Sequence, residues 1–476
     1  MLLPFRKSLR LGIQAALVAW IVPAQAETPP SAVPKAQGHV QFHQKISQTS
    51  GGFTGTLTNN DGLGFSVAAL GDLDGDGVTD LVAGAPFDGD GGLRHGAVWI
   101  LFLDANGFVR TQQKISDTQG GFTGLLHSDN RLGEAVTSLG DLDGDGVPDL
   151  AVGTPRDEAG GGPERGAVWI LFLRANGTVK AHQKISDIEG GFTGTLDALD
   201  HFGEALASPG DLDGDGLADL VVGAPQDDDG GGDRGAVWIL FLHPNGTVKA
   251  HQKISATEGG FAGTLDDLDL FGRGVAALGD LDGDGQTDLA VHSLDDDGGL
   301  DRGAVWILFL NPDSTVRAHQ KISATEGNFN GHLNDQDAFG SSLAPLGDLD
   351  CDGVVDLAAG TRGDDTGGTN RGAVWIPFLS RTGTVRLHAK ISQTSGGFTG
   401  TLDDQDRFGA SVAPLGDLDG DGSVDLAVGA FGDGDGGSGR GAVWILFLDN
   451  GGCVDPFLFS DGFESGTTAA WSEPSL

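Results

Sequence analysis

Gly-Asp-Leu-Asp recurs six times along this chain, its first aspartate falling at Asp72, Asp141, Asp211, Asp280, Asp348 and Asp417, at spacings of 69, 70, 69, 68 and 69 residues. In step with it runs Gly-Ala-Val-Trp-Ile, with tryptophans at Trp99, Trp169, Trp238, Trp306, Trp375 and Trp444, so six of the eight tryptophans share one repeat position. A period this long exceeds the usual helical solenoid units and fits a supersecondary unit such as a propeller blade.

The third copy shows how one unit divides. Gly203 to Gly210 leads into the acidic loop, and Asp219 to Pro225 is a Val-rich apolar run. Gly235 to Leu242 is apolar without alternation, as expected of a strand covered on both faces. Thr247 to Ser255 alternates, with Val248, Ala250, Gln252 and Ile254 on one side and Lys249, His251 and Lys253 on the other. Gly, Asp and Asn clusters separate these runs, and no stretch carries a helical period with caps. The expected fold class is all-β, built from four-stranded antiparallel blades.

The last copy ends after its third strand, at Leu448, whereas an unmatched fourth strand, His39 to Ser47, precedes the first copy. Pairing the two would complete six blades and remove the exposed edge of an open array. A linear solenoid would instead end in atypical capping repeats, and the end copies do not look atypical.

Phe202-Gly203, the acidic loop and Gly223-Ala224-Pro225 stand in fixed order, and the pattern resembles the FG-GAP repeat of the integrin α-subunit β-propeller across residues 39 to 452. Leu63-Gly64 and Leu132-Gly133 lack the Phe, and the fourth copy has His292-Ser293-Leu294 in place of Gly-Ala-Pro. The resemblance implies seven blades; the copies and the unmatched strand close without remainder at six, which is the expectation kept here. Integrin-like legs, a transmembrane helix and an inserted ligand-binding domain are not recognisable in the sequence, so a receptor role is not carried over.

Each copy contains Asp-x-Asp-x-Asp-Gly-x-x-Asp. Ca²⁺ takes six to eight oxygens at about 2.3–2.6 Å, which alternating carboxylates on a tight loop can supply. The expected ligands are the side chains of Asp72, Asp74, Asp76 and Asp80 with the carbonyl of Val78. Their counterparts are Asp141, Asp143, Asp145, Val147 and Asp149; Asp211, Asp213, Asp215, Leu217 and Asp219; Asp280, Asp282, Asp284, Gln286 and Asp288; Asp348, Asp350, Asp352, Val354 and Asp356; and Asp417, Asp419, Asp421, Ser423 and Asp425. Variation at the seventh position is expected if only its backbone binds. In the fifth copy Cys351 replaces a linker glycine. An EF-hand is excluded because its twelfth position requires Glu, and Ala83, Val152, Val222, Val291, Ala359 and Val428 stand there. Mg²⁺ keeps several waters, so an all-protein carboxylate set favours Ca²⁺. Carboxylates ~4 Å apart repel by ~1 kcal/mol even in bulk water. Six bare loops would therefore cost a sum comparable to a typical folding stability of ~5–15 kcal/mol. About six structural Ca²⁺ ions are expected.

The remaining signals bound the function. With 68 acidic against 28 basic residues and a formal charge of −40, the chain should repel nucleic acid. Arg6, Lys7 and Arg10, the apolar stretch from Leu11 to Pro23 and Ala24-Gln25-Ala26 read as a secretory signal over residues 1–26. That stretch is too short for a membrane span. The domain reading is then a 27–38 linker, a 39–452 propeller and a 453–476 tail, in a secreted protein, extracellular or periplasmic, expected to be a monomer. Two cysteines, Cys351 and Cys453, cannot staple a chain of this size, although export permits a disulfide.

A second acidic loop precedes an arginine in every copy (Asp88 and Asp90 before Arg94, Asp227 to Asp229 before Arg234, Asp295 to Asp297 before Arg302), read as a local Arg–carboxylate pair. The fourth strands carry a basic stripe such as Lys180, His182 and Lys184, read as an edge guard. Arg362-Gly363-Asp364 is read as a chance tripeptide in a Gly- and Asp-rich chain. The recurring Gly-Gly-Phe rings, such as Phe192, are read as packing. Neither a nucleophile elbow nor a phosphate loop nor a zincin motif is found, and the carboxylate clusters follow the repeat. The reading is a non-enzymatic binding or adhesion module for a protein or glycan, without a catalytic residue or organic cofactor. The alternatives are a glycan-binding lectin-like protein and a polysaccharide-degrading enzyme.

Overall fold

The structure, a computed structural model, describes residues 37–158, 162–294 and 299–449. The signal at 1–26, nearly all of the linker, Asp295 to Asp297, Cys453 and the tail at 453–476 lie outside the described residues.

Among the described residues there are 24 strands and no helix. They form six four-stranded antiparallel sheets, each a blade. The innermost strands are Val67–Gly71, Val136–Gly140, Ala205–Gly210, Val275–Gly279, Phe339–Gly347 and Ser411–Gly416. Each neighbours the next, and the last lies beside the first, so the ring closes at six blades and not seven. His39–Ser47 pairs antiparallel with Ala442–Asp449, Ile46 opposite Val443 and Lys45 opposite Trp444. The unmatched first strand is thus the outer strand of the last blade, as its position in the sequence implies.

In the third blade the strands run Ala205–Gly210, Asp219–Ala224, Ala236–Leu242 and Val248–Ser255, within two residues of expectation. The late start of the innermost strand has a local cause. Phe202 bridges to Gly166 of the preceding blade, and Leu132, Phe271 and Phe408 make the same bridge elsewhere. The residues before each inner strand are spent on the seam between blades. Phe202, Phe271, Phe339 and Phe408 are fully buried there, and Leu63 and Leu132 fill the same slot in the two copies without Phe.

The hydrophobic core is correspondingly divided among the seams. In one, Ile170 and Ile185 of the second blade meet Leu220, Val222 and Trp238 of the third. Each repeated tryptophan meets edge-on the ring of a Gly-Gly-Phe segment (Gly327-Asn328-Phe329 for Trp375), as Trp238 meets Phe192 at 5.0 Å, so those rings are packing elements.

One strand departs from simple alternation. Between the third and outer strands, Phe241 pairs with Ala250 and Leu242 with Val248, leaving Lys249 as a bulge. Ala250 is consequently exposed while Val248 and Ile254 are buried. The same slip occurs in all six blades, at Gln41, Arg110, Lys180, Lys249, Arg317 and Arg386. A bulge re-aims its side chain, here toward the acidic loops.

Candidate metal centres

Each acidic loop follows an innermost strand and is organised by its own carboxylates. Asp72 Oδ1 accepts the amides of Gly75 and Asp76 at 2.7 and 2.8 Å, and Oδ2 accepts that of Gly77 at 2.7 Å. Asp76 accepts the amide of Val78 at 3.0 Å. The corresponding amides of Val147, Leu217, Gln286, Val354 and Ser423 are placed the same way. The turn demands left-handed backbone at its fourth position. Gly75, Gly144, Gly214, Gly283 and Gly420 have φ of 79 to 88°, and Cys351 adopts 61°. Asp348 still accepts the amides of Asp352 and Gly353 at 2.9 and 2.7 Å, so the fifth loop keeps its form despite that substitution.

The ninth-position aspartate opens the next strand and is buried. Asp80 is held by the amides of Leu73 and Leu103 at 3.0 and 3.1 Å. Asp149, Asp219, Asp288, Asp356 and Asp425 are clamped between the same two backbone points. A rigid sheet therefore fixes one carboxylate and the loop swings two more against it. Asp72, Asp74 and Asp80 each offer an oxygen within 4.8 Å of the others, as do Asp141, Asp143 and Asp149; Asp211, Asp213 and Asp219; Asp280, Asp282 and Asp288; and Asp348, Asp350 and Asp356. In the sixth loop Asp419 and Asp421 both lie close enough to Asp425 to oppose its ionisation.

That convergence is electrostatically costly. Burial, reinforced by the neighbouring loop carboxylates, pushes Asp80 up to about 7, Asp219 to about 6 and Asp356 and Asp425 to about 8. An all-oxygen set of three carboxylates on one point fits a hard divalent cation, and Ca²⁺ suits its loose geometry.

The fifth position behaves differently from expectation. Asp76, Asp145, Asp215, Asp284 and Asp352 stand outside the converged trios, and each meets the bulge residue of its own blade. Those cations also hold the third-position aspartates, Arg110 reaching Asp74 at 2.9 Å, Lys180 Asp143 at 2.9 Å and Lys249 Asp213 at 2.8 Å. The basic stripe read as an edge guard is thus paired within its own blade. The last loop lacks this pairing: neutral Gln41 stands at the bulge and donates to Asp421 at 3.4 Å. Replacing Gln41 with Lys is expected to raise the melting midpoint in chelator by up to about 1 °C, from an ion pair of about 0.2–1 kcal/mol, while weakening Ca²⁺ uptake at that loop. Thermal melts of both chains with and without chelator measure it.

The second acidic loop corrects a further expectation. Its carboxylates pair with an outer-strand lysine, Lys114 with Asp88 and Asp90 at 2.8 and 2.6 Å and Lys253 with Asp227 and Asp229 at 2.8 and 2.7 Å. The lysine also lies over the repeated tryptophan, as Lys253 does over Trp238 at 5.2 Å. The arginine after the loop reaches onward instead. Arg234, Arg302 and Arg371 meet Asp267, Asp335 and Asp404 in the segments leading to the following blades, at 2.9, 2.8 and 2.9 Å. Arg362-Gly363-Asp364 is not a free tripeptide, because Asp364 is buried and paired with Lys390 at 2.5 Å. Buried Asp61, Asp200, Asp337 and Asp406 went unnoticed in the sequence. Each caps a turn, as Asp61 does by accepting from Thr58, and the Asp three residues past Thr, Asp or Asn was the available signal.

The ring and its repeated loop are those of a six-bladed β-propeller that carries FG-GAP repeats in four places and is similar to integrin alpha chains. The FG-GAP repeat family matches residues 63–101, 133–171, 202–240 and 408–446. Integrin alpha-PS2 of Drosophila melanogaster is 38% identical over 200 residues, which is 41% of this chain and 13% of that protein. Phosphatidylinositol-glycan-specific phospholipase D of Rattus norvegicus is 32% identical over 179 residues, 37% of this chain and 20% of that protein. The match thus spans no more than a fifth of either relative. The Dos1 propeller aligns with a TM-score of 0.37 at 12% identity, over 81% of this chain and 69% of that one.

Proposed function

We propose that this chain is an exported, calcium-stabilised propeller that acts as a non-enzymatic binding or adhesion module toward a protein or glycan. The observation that carries the reading is the sixfold acidic loop, a trio of carboxylates held by the sheet and crowded enough to be unfavourable without a cation. The likeness to integrin alpha chains supports a binding role. Likeness to a phospholipase D covers a fifth of that protein. The basic start, the apolar stretch and Ala24-Gln25-Ala26 support export, and no helix among the described residues is long and apolar enough to cross a membrane.

A glycan-binding reading has its own support. A groove of about 520 Å³ on the third blade is lined by Thr193, Thr195, Asp227, His251 and Lys253, and the next blade carries one of about 380 Å³ with Thr264, His319 and Lys321. Calorimetry on the chelated chain is expected to record uptake approaching six Ca²⁺, and a flat titration would remove the calcium reading. A glycan array on the calcium-loaded chain separates the two binding readings, since repeated grooves predict multivalent retention.

A further inference from the structure

The acidic loops obey the repeat, whereas the opposite mouth of the ring does not. A five-residue inner strand is roughly 17 Å long, so the residues that precede these strands gather at the axial end away from the acidic loops. Directly after the Phe-Gly or Leu-Gly glycine stand Phe65, Glu134, Glu204, Arg273, Ser341 and Ala410. No two neighbouring blades outside the Glu134–Glu204 pair agree there.

These side chains meet around the axis. Phe65 packs against Phe87 at 5.6 Å and against Phe431 of the last blade at 4.9 Å. Arg131 lies over Phe87 at 5.3 Å and reaches Glu134 at 3.5 Å. His201 joins Glu204 and Glu164 at 3.3 and 2.8 Å, and Glu204 meets Arg273 of the next blade at 3.5 Å. Arg407 lies over Phe431 at 5.5 Å. The mouth is aromatic at blades six and one, acidic at two and three, and basic from four to six.

Several strong groups there are unused. Among the described residues neither Arg362 nor Arg407 forms an ion pair within 4 Å, although Glu204 and Glu134 lie near enough to Arg362 to favour its charge. Burial first, then Arg273 and Arg407, pull the Arg362 guanidinium down to about 9, against the opposing effect of Glu204 and Glu134. Glu134 is only 9% exposed, yet its Oε2 has no partner.

The seam beside them is also altered. Where Gly84, Gly153, Gly223, Gly360 and Gly429 stand in five blades, a Cβ would collide with the carbonyl of the following blade's glycine. The fourth blade has His292 there, fully buried with neither ring nitrogen bonded, close enough to Arg273 and Arg362 for both to oppose its protonation. Gly340 has drawn back, and a Cβ on it would lie 3.7 Å from the Ala304 carbonyl. The fourth and fifth copies, which flank this seam, are the two outside the FG-GAP match.

We propose that this axial mouth binds a small organic anion, its carboxylate or phosphate held by Arg362 and Arg407 and its apolar body resting on Phe65, Phe87 and Phe431. Guanidinium forks match both oxyanions in a desolvated setting. Arg131, Arg273, Arg362 and Arg407 outnumber the carboxylates Glu134 and Glu204 that face them, so the mouth keeps an excess of positive charge within a chain of charge −40. The site lies on the face away from the acidic loops and stands or falls independently of the calcium reading.

The test titrates the full calcium-loaded chain with phenyl phosphate, phenylacetate and inorganic phosphate by calorimetry. An aromatic anion should bind with Kd below about 1 mM and inorganic phosphate several-fold more weakly, and the better aromatic probe tells phosphate from carboxylate. The double variant R362Q/R407Q should weaken binding at least about tenfold, with the melting midpoint as the folding control. Should that variant not fold, R362K/R407K keeps the charge but loses the fork and should still bind about threefold or more weakly. Phe65→Ala should abolish the preference for aromatic anions. Absence of binding at 10 mM of all three probes, or binding unchanged in the folded arginine variants, overturns the proposal.

Discussion

Chelating Ca²⁺ from the folded chain is expected to lower its melting midpoint by roughly 10 °C. With a dissociation constant of ~0.1 mM and ~1 mM free ion, each loop gains ~1.4 kcal/mol by mass action, and six independent loops gain ~8 kcal/mol. An unfolding entropy of ~2.1 cal/mol/K per residue over about 400 residues converts that into the stated shift. The geometry of the loops gives the physical reason for that expectation. Asp80 and its counterparts are held in place by two backbone amides each, so the first and third carboxylates converge whether or not a cation is present. In the unfolded chain the same groups drift apart into water and no longer repel. Asp356→Asn should remove about one-sixth of the calcium-dependent shift, because it takes out one clamp and leaves five loops intact. Differential scanning calorimetry in calcium and in chelator reads both values. A chelator shift under about 2 °C would mean the loops stand without metal.

The blade number and the ring closure were legible because both follow from counting. Six equal copies with one outer strand moved from the last copy to the front admit no other pairing that leaves no edge. The acidic loops were legible because a carboxylate trio needs only short-range spacing, and Asp72, Asp74 and Asp80 sit within nine residues. The bulge at Lys249 was not, since a one-residue slip leaves no mark in a strand whose alternation looks regular. Its consequence, cations facing the fifth-position aspartates, was hidden with it. The second acidic loop misled for a related reason. Arg234 follows Asp229 closely in sequence but lies along the seam to Asp267, while Lys253, 24 residues on, is the neighbour across the sheet.

The axial mouth was illegible for a different reason. Glu134, Arg273, Arg362 and Phe431 each look like ordinary drift within their own copy, and the carboxylates that stand out are those that repeat. A ring brings one position from every copy to the same place, so divergence scattered over 300 residues becomes a single surface. The departures visible in the sequence, Leu63, Leu132 and His292, all border that surface or the seams leading to it. In a closed repeat, symmetry therefore marks what supports the fold, and its local failure marks where one ligand can be told from another.

Removing the first strand should have an effect at least as large as chelation. Among the described residues, His39–Ser47 supplies the only backbone partner for the outer edge of Ala442–Asp449. Val40 and Ile46 are buried there, and Lys45 covers Trp444 at 5.2 Å while pairing with Asp433 and Asp435 at 2.5 and 2.9 Å. Burying an ion in place of a large aliphatic costs several kcal/mol, so Ile46→Asp should destabilise by about 4 kcal/mol or more. Loss of the whole strand leaves an unpaired apolar edge, and the first and last blades are then no longer joined through a shared sheet. A chain beginning at Gln48 is expected to aggregate or to melt at least about 10 °C lower than one beginning at Gln37. A synthetic peptide spanning 39–47, added in trans, should recover part of the loss in proportion to its concentration. The decisive comparison is the melting midpoint of the two chains in calcium. If they coincide, the ring is held shut by its seams alone and the strand that closes it in sequence does not hold it closed in energy.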